Sequence, residues 1–272
     1  MKVIGKYREG KGAVLLLCLM IILIAAPLWA QDSEELAKKL SNPIASLISV
    51  PFQNNWDFGI GSEDAKRYTL NVQPVIPFSI GTNWNLITRT ILPFISAQSP
   101  VMGGEDSSGL GDILQSFFFS PKAPTSGGWI WGVGPVILYP SGTDRLSADK
   151  WGAGPTAVFL RQESGWTYGL LANHVWTFAE RDEVKPDVNA TFIQPFLSYT
   201  TKTYTTFGIN TESSYNWEGE KWTVPFNITV AQLLKIGGMP IQFTVGARYY
   251  ADKPDGGPDW GLRFQVTFLF PK

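Results

Sequence analysis

The sequence predicts an all-β protein: a closed antiparallel transmembrane β-barrel of about twelve strands that follows a cleaved signal peptide. Three observations lead to this prediction. An apolar leader begins the chain, apolar residues then recur at every second position, and tryptophans lie at the ends of the alternating segments. A period of two is typical of strands whose two faces meet different surroundings.

Residues 1–30 have the features of a secretory signal peptide. Basic residues precede an uncharged run from Ala13 to Ala30, which ends on a small residue suited to cleavage. The run could instead remain as a membrane anchor, since it nearly reaches the roughly 20 residues that a spanning helix needs. Pro27 favours cleavage. The only cysteine, Cys18, would leave with the leader, so the exported chain could form no disulfide.

Beyond the leader, helical periodicity is confined to 32–40, and the period is two from about Ile48 onward. We therefore expect residues 31–46 to form a short N-terminal periplasmic segment and residues 47–272 to form the barrel. The segment could fold into the lumen or lie at the periplasmic rim. With 22 basic and 23 acidic residues, the chain has no charge excess that would suggest a nucleic-acid partner.

The alternation is clearest in segments 68–80, 222–230 and 260–270, where apolar residues alternate with polar ones. The predicted strands begin near Ile48, Arg67, Trp84, Leu110, Trp129, Trp151, Trp166, Val188, Tyr204, Trp222, Ile241 and Trp260. Connections after the odd-numbered strands are rich in charge, whereas those after the even-numbered strands are mostly shorter. Outer-membrane barrels have long extracellular loops and short periplasmic turns, so we expect the charged loops outside the cell and both termini in the periplasm.

Alternation alone does not separate a soluble sheet from a membrane barrel, but the tryptophans do. Each one beyond the leader lies at or near the end of a predicted strand, where an indole would meet the lipid headgroups. The predicted girdle comprises Trp56, Trp84, Trp129, Trp131, Trp151, Trp166, Trp176, Trp217, Trp222 and Trp260. Because lipid offers the backbone no hydrogen-bond partner, such a sheet must close on itself.

Prolines within the predicted strands argue against a regular barrel, because each one lacks a donor for the ladder. They are Pro74, Pro93, Pro135, Pro155, Pro195 and Pro225. We expect β-bulges to accommodate them.

Polar residues on the opposite parity should face the lumen, because an arginine at the lipid midplane would cost about 2–4 kcal/mol. The pore-lining candidates are Asp57, Asn71, Gln73, Arg89, Asp112, Asn210, Glu212, Asn227, Arg248, Arg263 and Gln265. Their charges are three acids and three bases, which predicts weak ion selectivity. They could line a narrow channel, or they could form a closed salt-bridge network that stabilises a filled barrel; the sequence favours neither.

Catalysis and metal binding have little support in the sequence. His174 shares a parity with Trp176, and a twelve-stranded membrane phospholipase uses a histidine on its outer wall, but Trp176 stands where that enzyme has its serine. The acidic stretches 180–183 and 252–259 contain interleaved basic residues and do not fit a calcium loop. We therefore predict no catalytic residues, no metal site and no cofactor.

Several stretches resemble a family of Gram-negative outer-membrane β-barrel proteins labelled as transporters, often misnamed neuromedin U and related to the putative phenol meta-pathway barrel proteins. The matching stretches are 42–53, 109–112, 117–122, 171–174, 189–192, 249–258, 268–272 and the repeated Trp-Gly-X-Gly-Pro motifs at 131–135 and 151–155. The resemblance implies an outer-membrane location, contact with lipid and lipopolysaccharide, and a transport role. It brings no catalytic residues. It also implies that the insertion machinery reads the terminal strand at Phe270, although Pro271 and Lys272 follow that residue.

We therefore predict a channel for passive passage of small solutes, with small, partly apolar or aromatic compounds as a substrate class by analogy. The first alternative is a non-transporting barrel that is structural or binds a partner through its loops. An outer-membrane enzyme is third.

Overall fold

The computed structural model describes residues 30–180 and 185–271, so the predicted signal peptide lies almost wholly outside the described residues. Within this part the chain forms one α-helix, α1 (Ala30–Leu40), a 3₁₀ turn (Asp144–Leu146) and twelve strands. The strands are β1 (Ile48–Ile60), β2 (Ala65–Val72 and Val75–Ile80), β3 (Trp84–Ala97), β4 (Ser107–Leu110 and Ile113–Pro121), β5 (Trp129–Tyr139), β6 (Lys150–Glu163), β7 (Trp166–Glu180), β8 (Asn189–Thr200), β9 (Thr205–Thr211 and Ser213–Asn216), β10 (Lys221–Ile236), β11 (Met239–Asp252) and β12 (Trp260–Phe270).

Every strand pairs antiparallel with its neighbours in the sequence, and β1 also pairs with β12. That closing ladder runs from Ile48 opposite Phe270 to Phe58 opposite Trp260. The sheet therefore has no free edge, which confirms the predicted fold class. Closure satisfies the strand backbone without any help from solvent.

The prolines are accommodated in more ways than the bulges expected from the sequence. Pro74 lies in the interruption between the two halves of β2, and Pro225 lies at a register shift between β10 and β11. Pro135 and Pro155 stand opposite each other in an otherwise regular ladder. Pro93, on β3, lies in regular pairing with β2.

The repeated Trp-Gly-X-Gly-Pro motif has a packing reason. A Cβ at Gly134 would come 2.0 Å from the Phe117 carbonyl oxygen, and one at Gly154 would come 1.7 Å from the His174 carbonyl oxygen. Any side chain there would collide with the backbone of the adjacent strand. Glycine therefore lets β5 approach β4 and lets β6 approach β7.

The barrel has a loop end and a turn end. At the loop end lie the connections between β1 and β2, β3 and β4, β5 and β6, β7 and β8, β9 and β10, and β11 and β12; the turn end holds the other connections and both ends of the barrel chain. Along the wall, large apolar side chains such as Phe207 and Ile228 are exposed on the outside, while polar ones such as Asn227 are buried inside. None of the helices in the described ranges is long and apolar enough to cross a membrane.

Candidate functional site

The charged side chains inside the barrel meet around Glu212, which lies in the interruption of β9. Arg263 of β12 donates to both carboxylate oxygens, at 2.9 Å from Nη1 and 2.8 Å from Nη2. Arg248 of β11 donates to Oε2 at 2.7 Å. The side chains of Arg263 and Arg248 are only 6% and 11% exposed, so this one carboxylate bridges two nearly buried guanidinium groups.

A second carboxylate, Asp57 of β1, binds the other end of the same network. It accepts from Arg67 of β2 at 3.1 Å and from the Tyr250 hydroxyl at 2.8 Å, and Arg248 lies 3.6 Å away. Asn55 connects the two arginines, since its side-chain Oδ1 accepts from Arg263 Nε at 2.8 Å and from Arg248 Nη2 at 3.5 Å. The network therefore ties strands β1, β2, β9, β11 and β12 together across the lumen.

A row of amides continues from this network towards β3. Arg89 Nη2 donates to Gln73 Oε1 at 2.8 Å, Gln73 Nε2 donates to Gln53 Oε1 at 3.2 Å, and Gln53 Nε2 donates to Gln265 Oε1 at 3.2 Å. Asn71 also donates to Gln53 Oε1, at 3.4 Å. Each amide uses its oxygen to accept and its nitrogen to donate, so the row holds the Arg89 guanidinium in a fixed position.

These groups border a cavity of about 280 Å³. Its polar lining includes Arg89, Glu212, Arg263, Asn210, Gln73 and Gln265. Apolar side chains also reach it, among them Leu47, Val75 and Phe196. The cavity can therefore accept both a charged group and a hydrocarbon surface.

The N-terminal segment, defined as α1 and residues 41–47, crosses the lumen at the turn end. Ile44, which is 3% exposed, packs with inward-facing Ile87, Phe118 and Leu160 on one wall. Ala37 and Leu47 pack with Leu233 and Leu269 on the other. The segment is also hydrogen-bonded to the first of these walls, from Asn85 Nδ2 on β3 to Ser46 Oγ at 2.8 Å and from Gln162 Nε2 on β6 to the Lys38 carbonyl at 2.7 Å. The sequence did not distinguish between a position in the lumen and one at the periplasmic rim. In the structure the segment lies in the lumen.

The loop end is held together by a separate set of polar contacts. Asp112, which lies in the interruption of β4, accepts from Gly142 N at 3.0 Å, Ser147 Oγ at 2.6 Å and Ala148 N at 2.7 Å. It therefore anchors the connection between β5 and β6 and takes no part in the arginine network, where the sequence had grouped it.

Two further charges bind this connection to the one between β7 and β8. Lys185 donates to the Asp149 carboxylate, which raises the Lys185 pKa. Asp187 accepts from Lys150 Nζ at 2.9 Å and from Thr177 Oγ1 at 3.1 Å, and these hydrogen bonds lower the Asp187 pKa.

The tryptophans of the predicted girdle lie near both ends of the wall. Trp84 and Trp131 contact each other edge to face near the turn end, and Trp260 stacks on Phe58 near the loop end. Exposed indoles are those of Trp56, Trp84, Trp151, Trp166, Trp176, Trp217, Trp222 and Trp260, whereas those of Trp129 and Trp131 are half-buried. Their role at the headgroup level stays a prediction.

His174 faces outward in this belt. Its Nδ1 lies 2.8 Å from Thr191 Oγ1, which also accepts from Trp217 Nε1 at 2.8 Å. The contact joins β7 to β8, because Thr191 stands directly opposite His174 in the ladder between these strands. Among the described residues no group of three or more histidine, cysteine or acidic side chains could hold a metal ion.

The structure therefore brings together most of the predicted lumen residues, and it adds members that the sequence missed. Among the predicted residues, Asn210 and Asn227 form a hydrogen bond with each other at 2.9 Å, beside Arg248. The added members are Arg67 and Tyr250. Arg67 was overlooked because it lies at the start of its predicted strand, although its parity matches that of Asn71. Tyr250 has the parity of Arg248, but an aromatic residue gave no signal for a polar lumen. Whether these residues line a pore stays a prediction.

Solved structures of other proteins are similar to this chain. No protein-family profile matches the sequence, and no curated protein matches it significantly. An outer membrane channel from Pseudomonas putida F1 is similar with a TM-score of 0.64, at 16% identity, over 82% of this chain and 94% of that one. At this identity the likeness shows the fold, that of a bacterial outer-membrane β-barrel. The narrower family suggested by the sequence stays a prediction.

Two other barrels are more distant. The outer membrane phospholipase of Salmonella typhi has a TM-score of 0.46 at 10% identity, over 90% of this chain and 99% of that one. The β domain of the Bordetella autotransporter BrkA has a TM-score of 0.45 at 8% identity, over 82% and 100%. At these scores the likeness carries no argument.

Proposed function

We propose that this chain is an outer-membrane channel for passive movement of small solutes, with a preference for anions. The observation that carries the proposal is the polar cavity within a closed barrel, because basic side chains outnumber acidic ones around it. The arginine network contains Arg67, Arg248 and Arg263 against Asp57 and Glu212, and Arg89 lies nearby. The sequence had counted equal numbers, because it included Asp112 and missed Arg67.

The excess of positive charge gives the proposed preference a physical cause. In a narrow lumen the wall charges act on an ion at short range and through little water, so they select by sign. Solutes would enter between the loops, pass the arginine network and reach the cavity. They would leave past the N-terminal segment, which has to shift for passage at the turn end.

The similar barrel from Pseudomonas putida F1 is described as an outer membrane channel, and this supports the proposal by analogy. The same analogy supports an outer-membrane location, with lipid and lipopolysaccharide around the wall and insertion through the strand that ends at Phe270. The apolar part of the cavity lining is compatible with small, partly apolar solutes.

A planar bilayer experiment tests the proposal. We expect the refolded protein without residues 1–30 to give single-channel currents in KCl, with a reversal potential under a salt gradient that indicates anion preference. Replacing Arg248 with glutamine should reduce this preference. The matched control is Arg161→Gln, because Arg161 is paired with Glu163 near the turn end and is absent from the cavity lining. An inserted, heat-modifiable barrel that stays silent would contradict the proposal.

The packed N-terminal segment favours a second candidate, a non-transporting barrel whose loops bind a partner. Its loop end is already ordered by Asp112 and Lys185. This candidate predicts that deleting residues 179–187 abolishes binding of the partner to the loops and leaves membrane permeability unchanged. A change in permeability with no change in binding would favour the channel.

A further inference from the structure

Arg89, which lines the cavity on the β3 side, forms no salt bridge with any acidic residue that the structure describes. Both oxygens of Glu212 are occupied by Arg248 and Arg263, and both oxygens of Asp57 are occupied by Arg67 and Tyr250. Among the described residues no salt bridge reaches Arg89, whose hydrogen bond to a side chain goes to the neutral amide of Gln73. The lining holds two other cations, and both are paired: Arg263 with Glu212 at 2.8 Å and Lys39 with Glu35 at 2.7 Å.

The Arg89 guanidinium is also fixed in position. A guanidinium offers five N–H donors, and one of them is held by Gln73, which is in turn held by Gln53. A planar fork that is already oriented binds a carboxylate through two parallel hydrogen bonds with little loss of side-chain freedom. The site is thus prepared for a carboxylate, and no described residue supplies one within salt-bridge distance.

The volume and the rest of the lining limit what that carboxylate can belong to. At about 280 Å³ the cavity lies at the small end of the range for ligand pockets, so it suits a small organic molecule. Val75 and Phe196 line the same cavity and also pack against the apolar cluster around Ile44. The bound molecule would therefore combine one carboxylate with a short hydrocarbon body.

We propose that this cavity binds a small organic monocarboxylate, with its carboxylate on Arg89 and its apolar body against Val75 and Phe196. This inference rests on the proposed channel only for the route by which the solute arrives. Binding itself requires no current, so the two can be tested separately.

Benzoate is a suitable probe because it has the expected size, and benzamide is its neutral counterpart of the same shape. We expect benzoate to raise the unfolding temperature of the protein in detergent and to bind in calorimetry, while benzamide does neither. In the bilayer, benzoate should interrupt the KCl current in a concentration-dependent manner. Replacing Arg89 with glutamine should weaken benzoate binding about 10- to 100-fold, the range for a charge-assisted hydrogen bond.

A second variant keeps the test valid if the Arg89→Gln protein fails to fold. Gln73→Glu places a carboxylate where Arg89 already donates, so the guanidinium is neutralised from within and benzoate binding should be lost. Arg161→Gln, outside the cavity, should bind benzoate as the unmodified protein does.

The results distinguish a failure of the proposed binding site from a failure of the proposed channel. Benzoate binding that depends on Arg89 without any current supports the site and contradicts the channel. Currents with equal binding of benzoate and benzamide, or with binding that is unchanged in both variants, support the channel and overturn the site.

Discussion

Ile44 holds the N-terminal segment against the wall of the lumen, and shortening its side chain should release the segment. Ile44 is 3% exposed and packs with Ile87, Phe118 and Leu160 from three different strands. Its Cδ1 would lie 3.2 Å from a Cβ on Gly132, so the side chain fills the space that this glycine leaves. No charged contact accompanies Ile44 in this cluster. Ile44→Ala therefore tests apolar packing alone.

The expected magnitude follows from the buried volume. Truncation of a buried isoleucine to alanine costs about 2–5 kcal/mol, and we expect about 2–3 kcal/mol because the segment can rearrange after the change. Since 1.4 kcal/mol corresponds to a factor of ten, the ratio of docked to undocked segment should fall about 30- to 150-fold. The barrel ladders do not depend on this contact, so the barrel itself should stay folded.

Thiol labelling can measure this ratio, because the sequence has one cysteine and it lies in the leader. A cysteine placed at Ala45, which is 8% exposed, should react slowly while the segment is docked. In the Ile44→Ala background its labelling rate should rise in proportion to the undocked fraction, and open events in the bilayer should become more frequent. The control is Ile228→Ala on the lipid-facing side of β10, where the side chain is 63% exposed and has no contact with the segment.

One result would refute this reasoning. If the labelling rate at position 45 is the same in the Ile44→Ala protein and in the control, the apolar contacts of Ile44 do not hold the segment in the lumen.

Three further predictions concern the charges. Glu212→Gln should destabilise the barrel by about 3–5 kcal/mol, because it leaves two nearly buried arginines without their shared carboxylate. The midpoint of denaturant-induced unfolding measures this change. The control is Glu163→Gln, at a side chain that is 51% exposed, which should change the midpoint little. Protease resistance of the connections that hold Lys185 and Asp187 should be constant across the middle of the pH range. Hydrogen bonds to Lys150 and Thr177 lower the Asp187 pKa below 3.8, so its stabilisation is present above pH 3.8 and is lost as the pH falls through the lowered pKa. The hydrogen bond to Asp149 raises the Lys185 pKa above 10.5, so the stabilisation from Lys185 is full below pH 10.5 and is lost as the pH rises through the raised pKa. Protease resistance that declines near neutral pH would contradict the assignments for both Lys185 and Asp187. Finally, a cysteine at Asp255, where the side chain is fully exposed at the loop end, should be labelled by an impermeant reagent in intact cells, and protection there would reverse the proposed orientation.

The alternation of side chains between the two faces of a strand predicted the lumen residues, and it also explains why Asp112 was grouped with them. Alternation determines which face of a strand a residue occupies, so Arg248 and Arg263 could be placed inside with no knowledge of their partners. At an interruption of a strand the rule is unreliable: it placed Glu212 of β9 correctly but grouped Asp112 with the wrong residues. Asp112 stands at such a point on β4, and its side chain is taken up by backbone and hydroxyl donors of the following connection.

The sequence by itself determined the barrel, because a period of two, charged loops alternating with shorter turns and tryptophans at the strand ends are local properties of the chain. Only the tertiary structure decided which charges meet. Glu212 and Arg263 are far apart in sequence and on strands that do not pair, so their contact depends on the curvature of the closed wall. The position of the N-terminal segment was also decided by the tertiary structure. Its few apolar residues could pack on any apolar surface, and closure of the barrel placed Ile87 and Leu269 inside to receive them. That no described carboxylate lies within salt-bridge distance of Arg89 follows from the same closure, because it is a property of the lumen and not of any one strand.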